Sequence, residues 1–417
     1  MAQLVIQGGT PLQGTVSASG AKNSALPILA ATILMDGESE IANIPNLADV
    51  TIMVRMLTSL GLRAEYYCQH TVKIWNTKKV RHIAPYDLVT SMRASFFVTG
   101  PLLAKTGLAK VPLPGGCSIG SRPIDIHLKA FKQLGAHYSI EHGFVFLQAK
   151  QLKGATIKLE FPSVGATENI MMAAALAEGE TIIENAAQEP EIVDLGIFLN
   201  KSGACITGYG TPIICIKGVS SLKGCQHTVI PDRVEAGTLL IAGAITGGEV
   251  IVENLVIQDL EPLLIKMREA GCVIDAIGET SLRVSCPHGL TAVDIETLPF
   301  PGFPTDMQAQ MMALLSLAKG TSVIKETIFE NRYMQAHELM RMGANIRLDN
   351  QYAFVTGACL SGAEVKMTDL RAGAALVLAG LAAQGSSYVH GLKHLKRGYD
   401  NLPLKLSHLG AKIMELS

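Results

Sequence analysis

The sequence predicts an α/β protein built from six copies of one unit of about 70 residues, grouped three and three into two domains. Three observations carry this. A marker glycine closing a helix-like stretch recurs at Gly61, Gly135, Gly203, Gly271, Gly343 and Gly410, at intervals of 67 to 74 residues, with similar text around each, as in LTSLGLRAE, FKQLGAHYS and MREAGCVID. A period this constant marks duplicated supersecondary units. Second, each unit has a small-residue apolar stretch such as SALPILAATIL, ENIMMAAALAE, AGTLLIAGAIT, MQAQMMALLSLA or AGAALVLAGLAA. A helix apolar nearly all round belongs inside, with sheets packed outside it. Third, a second, amphipathic helix precedes the marker glycine, as from Asp259 to Glu269, and should face water.

Each element has a local cause. A short strand ends in a Leu-x-Gly turn, as at Leu12-Gln13-Gly14, Leu152-Lys153-Gly154, Leu222-Lys223-Gly224 and Leu360-Ser361-Gly362. A second strand-like run leads into the apolar helix, which stops at a glycine that opens a strand: Gly37, Gly179, Gly248, Gly320 or Gly385. The marker glycine then fits the left-handed position after a helix end. Counted cyclically, the unit reads strand, strand, helix, strand, helix, strand. The best boundary between the groups lies near Pro231-Asp232. Because the chain starts with a strand pair and ends on a strand, its N-terminal segment should pair with the last copies. The expected domains are therefore 22–231, and 1–21 together with 232–417. Two lobes joined by two crossings predict a hinged cleft, a common place for ligands.

Composition excludes several classes. Lys and Arg total 35 against 36 Asp and Glu, so no net field favours nucleic acid or an anionic membrane. The apolar runs, such as Ala25 to Met35, fall short of the ~18 residues a membrane span needs. The N-terminus lacks a basic region followed by an apolar stretch, so no secretory signal is read. The eight cysteines show no Cys-x-x-Cys pair and no metal-ligand spacing, which predicts reduced thiols, a cytoplasmic setting, no metal and no cofactor.

The copies differ where function should lie. In the second, the loop LPGGCSIGSRPIDIH (Leu113 to His127) replaces a simple link. A thiol at Cys117, five residues from Arg122 in a glycine-rich loop, can exchange protons or act as a nucleophile; such loops are also common plain connections. Arg122-Pro123 with Asp125 suits anion recognition or an ordinary helix start. Near the starts of the six apolar helices stand Lys22, Arg93, Glu168, Glu235, Asp306 and Arg371. Helix N-termini favour anions, and cations added there ask for a phosphorylated or carboxylated ligand. For Asp306 and Glu235 the plainer alternative is complementation of the helix dipole.

The motifs GAKNSALP, MRAS, LPGGCSIGSRPIDIH, SVGATEN, AAQEPEIVDL, PGFPTDMQAQ, FENRY, TDLRAGAALV and HLKRGYDN together resemble the UDP-N-acetylglucosamine 1-carboxyvinyltransferases, enolpyruvyl transferases that commit UDP-N-acetylglucosamine to bacterial peptidoglycan. The resemblance runs along the whole chain. It implies a two-domain inverse α/β barrel with six βαβαββ repeats, three per domain, closing over substrate. It also implies two small-molecule substrates, UDP-N-acetylglucosamine and phosphoenolpyruvate. Lys22, with Asn23 beside it, Arg122 and Arg397 match the phosphoenolpyruvate site. Cys117 matches a proton donor that can be alkylated by fosfomycin. Arg93, the run Arg122, Pro123, Ile124, Asp125 and Ile126, and Ser163, Val164 and Gly165 match contacts to the nucleotide sugar. Asp306 matches the residue facing the attacking sugar hydroxyl, and Ile328 a uridine-sugar contact. Asp369 and Arg371 belong to the active-site constellation. Ala48 and Phe161 stand near positions where the family often has lysine, so contacts of those lysines are missing here. A 5-enolpyruvylshikimate-3-phosphate synthase-like enzyme and a non-catalytic nucleotide-sugar-binding paralogue are the alternatives.

Overall fold

Six sheets of one pattern define the architecture in the computed structural model, which describes residues 3–77, 79–114 and 124–416. Cys117, Arg122 and Pro123 lie outside the described residues. The chain divides into two compact units, one holding residues 3–19 and 231–416, the other 20–114 and 124–230. Each unit has its own hydrophobic core and three sheets.

One sheet shows the pattern. The strand Glu249–Glu253 pairs parallel with Gln13–Ser17 on one side and antiparallel with Ser281–Ser285 on the other, and Val273–Gly278 completes the hairpin. The same order recurs in Ile295–Glu296, Thr321–Lys325, Tyr352–Thr356 and Asn345–Asp349, and in Thr156–Lys158, Glu180–Glu184, Ile213–Lys217 and Cys205–Thr207. In the second copy a bridge between Ile83 and Lys110 stands where the parallel strand would be. The last copy is completed from the far end of the chain: Gln3–Gln7 runs antiparallel to both Ser386–His390 and Lys412–Leu416. Strand burial alternates, as in Glu249–Glu253, so each sheet turns one face inward.

Behind the sheets lie the small-residue helices. In Arg233–Ile245 every residue after the first is buried, and it packs against Gln308–Leu315 and Leu370–Ala382. The other unit uses Lys22–Ala31, Thr99–Thr106 and Val164–Ala174 in the same way. Their Ala and Gly content permits close approach: a Cβ on Gly243 would meet Val250 and Val284 at 3.0 Å. The amphipathic helices follow the expected division, with Ile257–Glu269 burying Leu260, Leu263, Leu264 and Met267. All six marker glycines adopt φ between +89° and +104°, a conformation strained for any residue with a Cβ. That backbone requirement explains why the marker is legible in the sequence.

Candidate active site

The C-terminal unit gathers its charged residues around Asp306, in the short turn Thr305–Met307 ahead of Gln308–Leu315. The carboxylate does not cap the helix. Instead Oδ1 accepts from Arg332 Nη2 at 2.7 Å, and Oδ2 accepts from Arg371 Nη2 at 2.9 Å and Nε at 3.2 Å. Both arginines are nearly buried, while the Asp306 side chain is 28% exposed. Burial by itself would raise the Asp306 pKa, but the charges of Arg371 and Arg332 outweigh it and hold the carboxyl well below the ordinary 3.8. Asp306 is therefore firmly ionised, so the helix-dipole alternative gives way to an ion-paired one.

Neighbouring segments fix this cluster. Asp369 caps Leu370–Ala382, its Oδ1 accepting from Arg371 N at 2.8 Å and Ala372 N at 3.0 Å. This sets the first turn from which the Arg371 side chain leaves. The Arg371 guanidinium lies 5.4 Å from the centroid of the Tyr399 ring, and the Tyr399 hydroxyl bonds Thr238 Oγ1 at 3.1 Å and Gln310 Nε2 at 3.0 Å. Arg332 also donates to Thr305 Oγ1 at 3.0 Å, and Thr305 donates to Glu326 Oε2 at 2.9 Å. Glu326 Oε1 accepts from the backbone N–H groups of Ile328 and Phe329 at 2.9 and 3.1 Å. Ile328 and Arg332 thus belong to one loop hung from Glu326. Arg397 is half-buried in the turn Leu395–Arg397. Next to it, burial and then the charges of Lys393 and Arg397 lower the His394 pKa, while Asp369 opposes them.

The N-terminal unit holds a second group. Lys22 is the first residue of its helix, 7% exposed, with Nζ 2.7 Å from Asp49 Oδ2. Asn23 beside it is half-buried. Arg93 opens the turn Arg93–Val98, which packs against the Lys22 helix. Ser163 caps Val164–Ala174 by accepting from Ala166 N at 3.4 Å. Ile124 precedes Asp125–Gln133, in which Asp125 lies 3.6 Å from Lys129, with Ile126 and His127 in the first turn. His127 joins three of these segments. Its Nδ1 lies 3.2 Å from Asn169 Nδ2, Phe96 meets its ring edge-on at 5.2 Å, and a Cβ on Gly165 would sit 3.6 Å from it. The Arg93 turn, Ile124 to Ile126 and Ser163 to Gly165 consequently surround one small region.

Two of the six helix-start charges do not reach an open site. Glu168 is the fifth residue of its helix and 0% exposed. Glu235 is 2% exposed and bonded to Lys405 Nζ at 2.7 Å and Ser19 N at 2.8 Å. Arg332, Asp49, Glu326 and Tyr399 emerge only from the structure. Arg332 and Tyr399 lie inside the quoted motifs FENRY and HLKRGYDN, and an ionised Asp306 needing counter-charge was the available signal.

Similarity to known proteins shows the class of this chain, the enolpyruvyl transferases. The family model described as EPSP synthase (3-phosphoshikimate 1-carboxyvinyltransferase) matches residues 6–406. Within that class the chain belongs to the UDP-N-acetylglucosamine 1-carboxyvinyltransferase family. It is 55% identical to UDP-N-acetylglucosamine 1-carboxyvinyltransferase 1 of Caldanaerobacter subterraneus subsp. tengcongensis, across 99% of both chains. It is 54% identical to UDP-N-acetylglucosamine 1-carboxyvinyltransferase 2 of Carboxydothermus hydrogenoformans, across 100% of both. Among solved structures, the enolpyruvyl transferase NikO from Streptomyces tendae is similar at TM-score 0.90 and 26% identity, covering 99% of this chain and 98% of that one. EPSP synthase from Acinetobacter baumannii shares the fold at TM-score 0.77 and 18% identity, covering 100% of both.

Proposed function

We infer that the chain transfers the enolpyruvyl group of phosphoenolpyruvate to the 3-hydroxyl of UDP-N-acetylglucosamine, releasing phosphate by addition and elimination through a tetrahedral intermediate. This is the first committed step of peptidoglycan synthesis, which sets the enzyme in the cytoplasm. No helix among the described residues is long and apolar enough to cross a membrane, in keeping with that setting. The carrying observation is 55% identity along the full chain with a relative of that name. The shikimate-type alternative is disfavoured, because its solved representative is only 18% identical.

The reaction needs a proton on the terminal carbon of phosphoenolpyruvate while the sugar hydroxyl attacks the adjacent carbon. Cys117 is the acid in this reading, and Asp306 receives the hydroxyl proton. An aspartate held by two guanidiniums is a weak base. It gains basicity when an anionic ligand draws Arg332 or Arg371 away, so binding and proton transfer are linked. Lys22, Arg122 and Arg397 neutralise the phosphate and carboxylate of phosphoenolpyruvate and stabilise the charge that develops. Asp369 orients Arg371 through the helix cap. Arg93, Pro123, Ile124 to Ile126, Ser163 to Gly165 and Ile328 hold the nucleotide sugar.

Phosphate release measured with phosphoenolpyruvate and either acceptor tests the reading. Release with UDP-N-acetylglucosamine and none with shikimate 3-phosphate is expected; the reverse pattern, or release with neither, overturns it. Fosfomycin labelling followed by peptide mapping tests the acid. Label should fall on Cys117, and label mainly on Cys286, whose pKa the hydrogen bond from Cys272 lowers to about 7, would contradict that role.

A further inference from the structure

Two residues beyond Lys22, the hydroxyl of Ser24 donates to Asp194 Oδ2, a hydrogen bond between two buried side chains. Asp194 lies on a different helix, Pro190–Lys201, which packs against the Lys22 helix. The same carboxylate accepts from Ile230 N at 3.2 Å and, through Oδ1, from His227 Nε2 at 2.9 Å. Ser24, Asp194 and His227 are 0%, 2% and 4% exposed. Asp194 therefore spends both oxygens on three donors from two segments, the Lys22 helix and the run from His227 to Ile230.

Those segments converge on the turn that carries Lys22. Ala21, the residue before the helix, offers no side-chain cap. Its own N–H donates to Ile230 O at 2.7 Å, so Ile230 is gripped on one side by Asp194 and on the other by Ala21. Gly20 closes the remaining freedom: a Cβ there would stand 1.7 Å from Asn43 O. A lysine at a helix N-terminus is opposed by the dipole. Asp49 answers that charge directly, and the Asp194 carboxylate supplies a second negative group bonded to the same first turn. The hydrogen bonds from Ser24, Ile230 and His227 meet the cost of burying this carboxylate, and two of those donors tie it to the Lys22 turn. His227 completes it by fixing the carboxylate plane, with Phe198 edge-on to its ring at 5.5 Å.

We propose that Asp194 is a positioning residue for Lys22: through Ser24 and Ile230 it fixes the first turn of the helix, and so the place of the ammonium group that binds phosphoenolpyruvate. The proposal rests on the assignment of Lys22 to that substrate. Its signature is selective. Loss of the Asp194 bonds should weaken the use of phosphoenolpyruvate and spare the binding of the nucleotide sugar, whose contacts arise from other segments.

The test uses the full-length enzyme with Asp194→Asn, Ser24→Ala and His227→Gln, measuring melting temperature, UDP-N-acetylglucosamine affinity by calorimetry, and KM for phosphoenolpyruvate. Asp194→Asn should raise that KM about tenfold or more, as loss of a hydrogen bond to a charged group would, with nucleotide-sugar affinity changed less than about threefold. Ser24→Ala and His227→Gln should move the same KM in the same direction by smaller factors. On a Lys22→Arg background, Asp194→Asn should add little. An unchanged KM, or equal weakening of both substrates in step with a lower melting temperature, overturns the proposal. If Asp194→Asn does not fold, Ser24→Ala decides: an unchanged KM in that variant also overturns it. Lys22→Ala is measured alongside; if it leaves KM for phosphoenolpyruvate unchanged, the assignment of Lys22 fails first, and the two failures are told apart.

Discussion

Asp306 and Glu168 both stand near the starts of apolar helices, in the fifth and third copies, yet their surroundings are opposite. Asp306 meets two guanidiniums at 2.7 and 2.9 Å and is driven towards its charged form. Glu168 is 0% exposed, and neither of its oxygens has a hydrogen-bond partner among the described residues. Burial, followed by the charges of Glu191 and Glu189, raises its pKa well above the ordinary 4.5, so its neutral form is favoured. The repeat fixes where a side chain starts; the partners it meets decide what it becomes. One acidic position is ion-paired and partly open, and the other is buried in the helix packing.

Breaking the charged member should have the largest effect. Asp306→Asn is expected to lower turnover by about 100-fold or more, the range for loss of a general base, with the fold retained; steady-state phosphate release and circular dichroism check both halves. Retention of activity within a few-fold would return Asp306 to a structural role. Removing one counter-charge sharpens the comparison. Arg332→Ala should reduce turnover by about tenfold, as loss of a charge-stabilising contact would. It should also shift the acidic limb of the pH–rate profile upward, because the Asp306 pKa is then less depressed.

The smaller effects concern stability. The folded state keeps a proton on Glu168 that the unfolded chain releases above about pH 4.5, so this group lowers stability as pH rises above that value. Glu168→Gln should remove that part of the slope, giving a higher urea midpoint than wild type at neutral pH and little difference below pH 4.5, with turnover near wild type. The opposite sign holds for Asp306, whose stabilising contribution is present above 3.8 and lost as pH falls below it. Ser163→Ala, which removes a long cap bond of 3.4 Å, should lower stability by only ~0.5–1 kcal/mol in thermal or chemical unfolding.

Much of this was legible in the sequence because it rests on local rules. The marker glycines announce left-handed backbone at six equivalent points, and the Ala- and Gly-rich runs announce buried helices. Lys22, Asp306 and Arg371 stand out as charges where a helix should begin. The partners were not legible. Asp306 with Arg332, Lys22 with Asp49, and Ser24 with Asp194 and His227 join residues far apart in the chain, and no local pattern marks which charge meets which. Glu168 shows the converse failure: its place in the repeat groups it with Lys22 and Asp306, but the packing sets it a turn deeper, where it meets no counter-charge among the described residues.

A carboxyl-carbon NMR titration, with the two resonances assigned by comparing wild type with Asp306→Asn and Glu168→Gln, reads the contrast directly. Asp306 should remain ionised well below pH 3.8 while Glu168 remains protonated well above pH 4.5. Titration of both groups near their ordinary values, 3.8 and 4.5, would contradict the claim that their partners have set them apart.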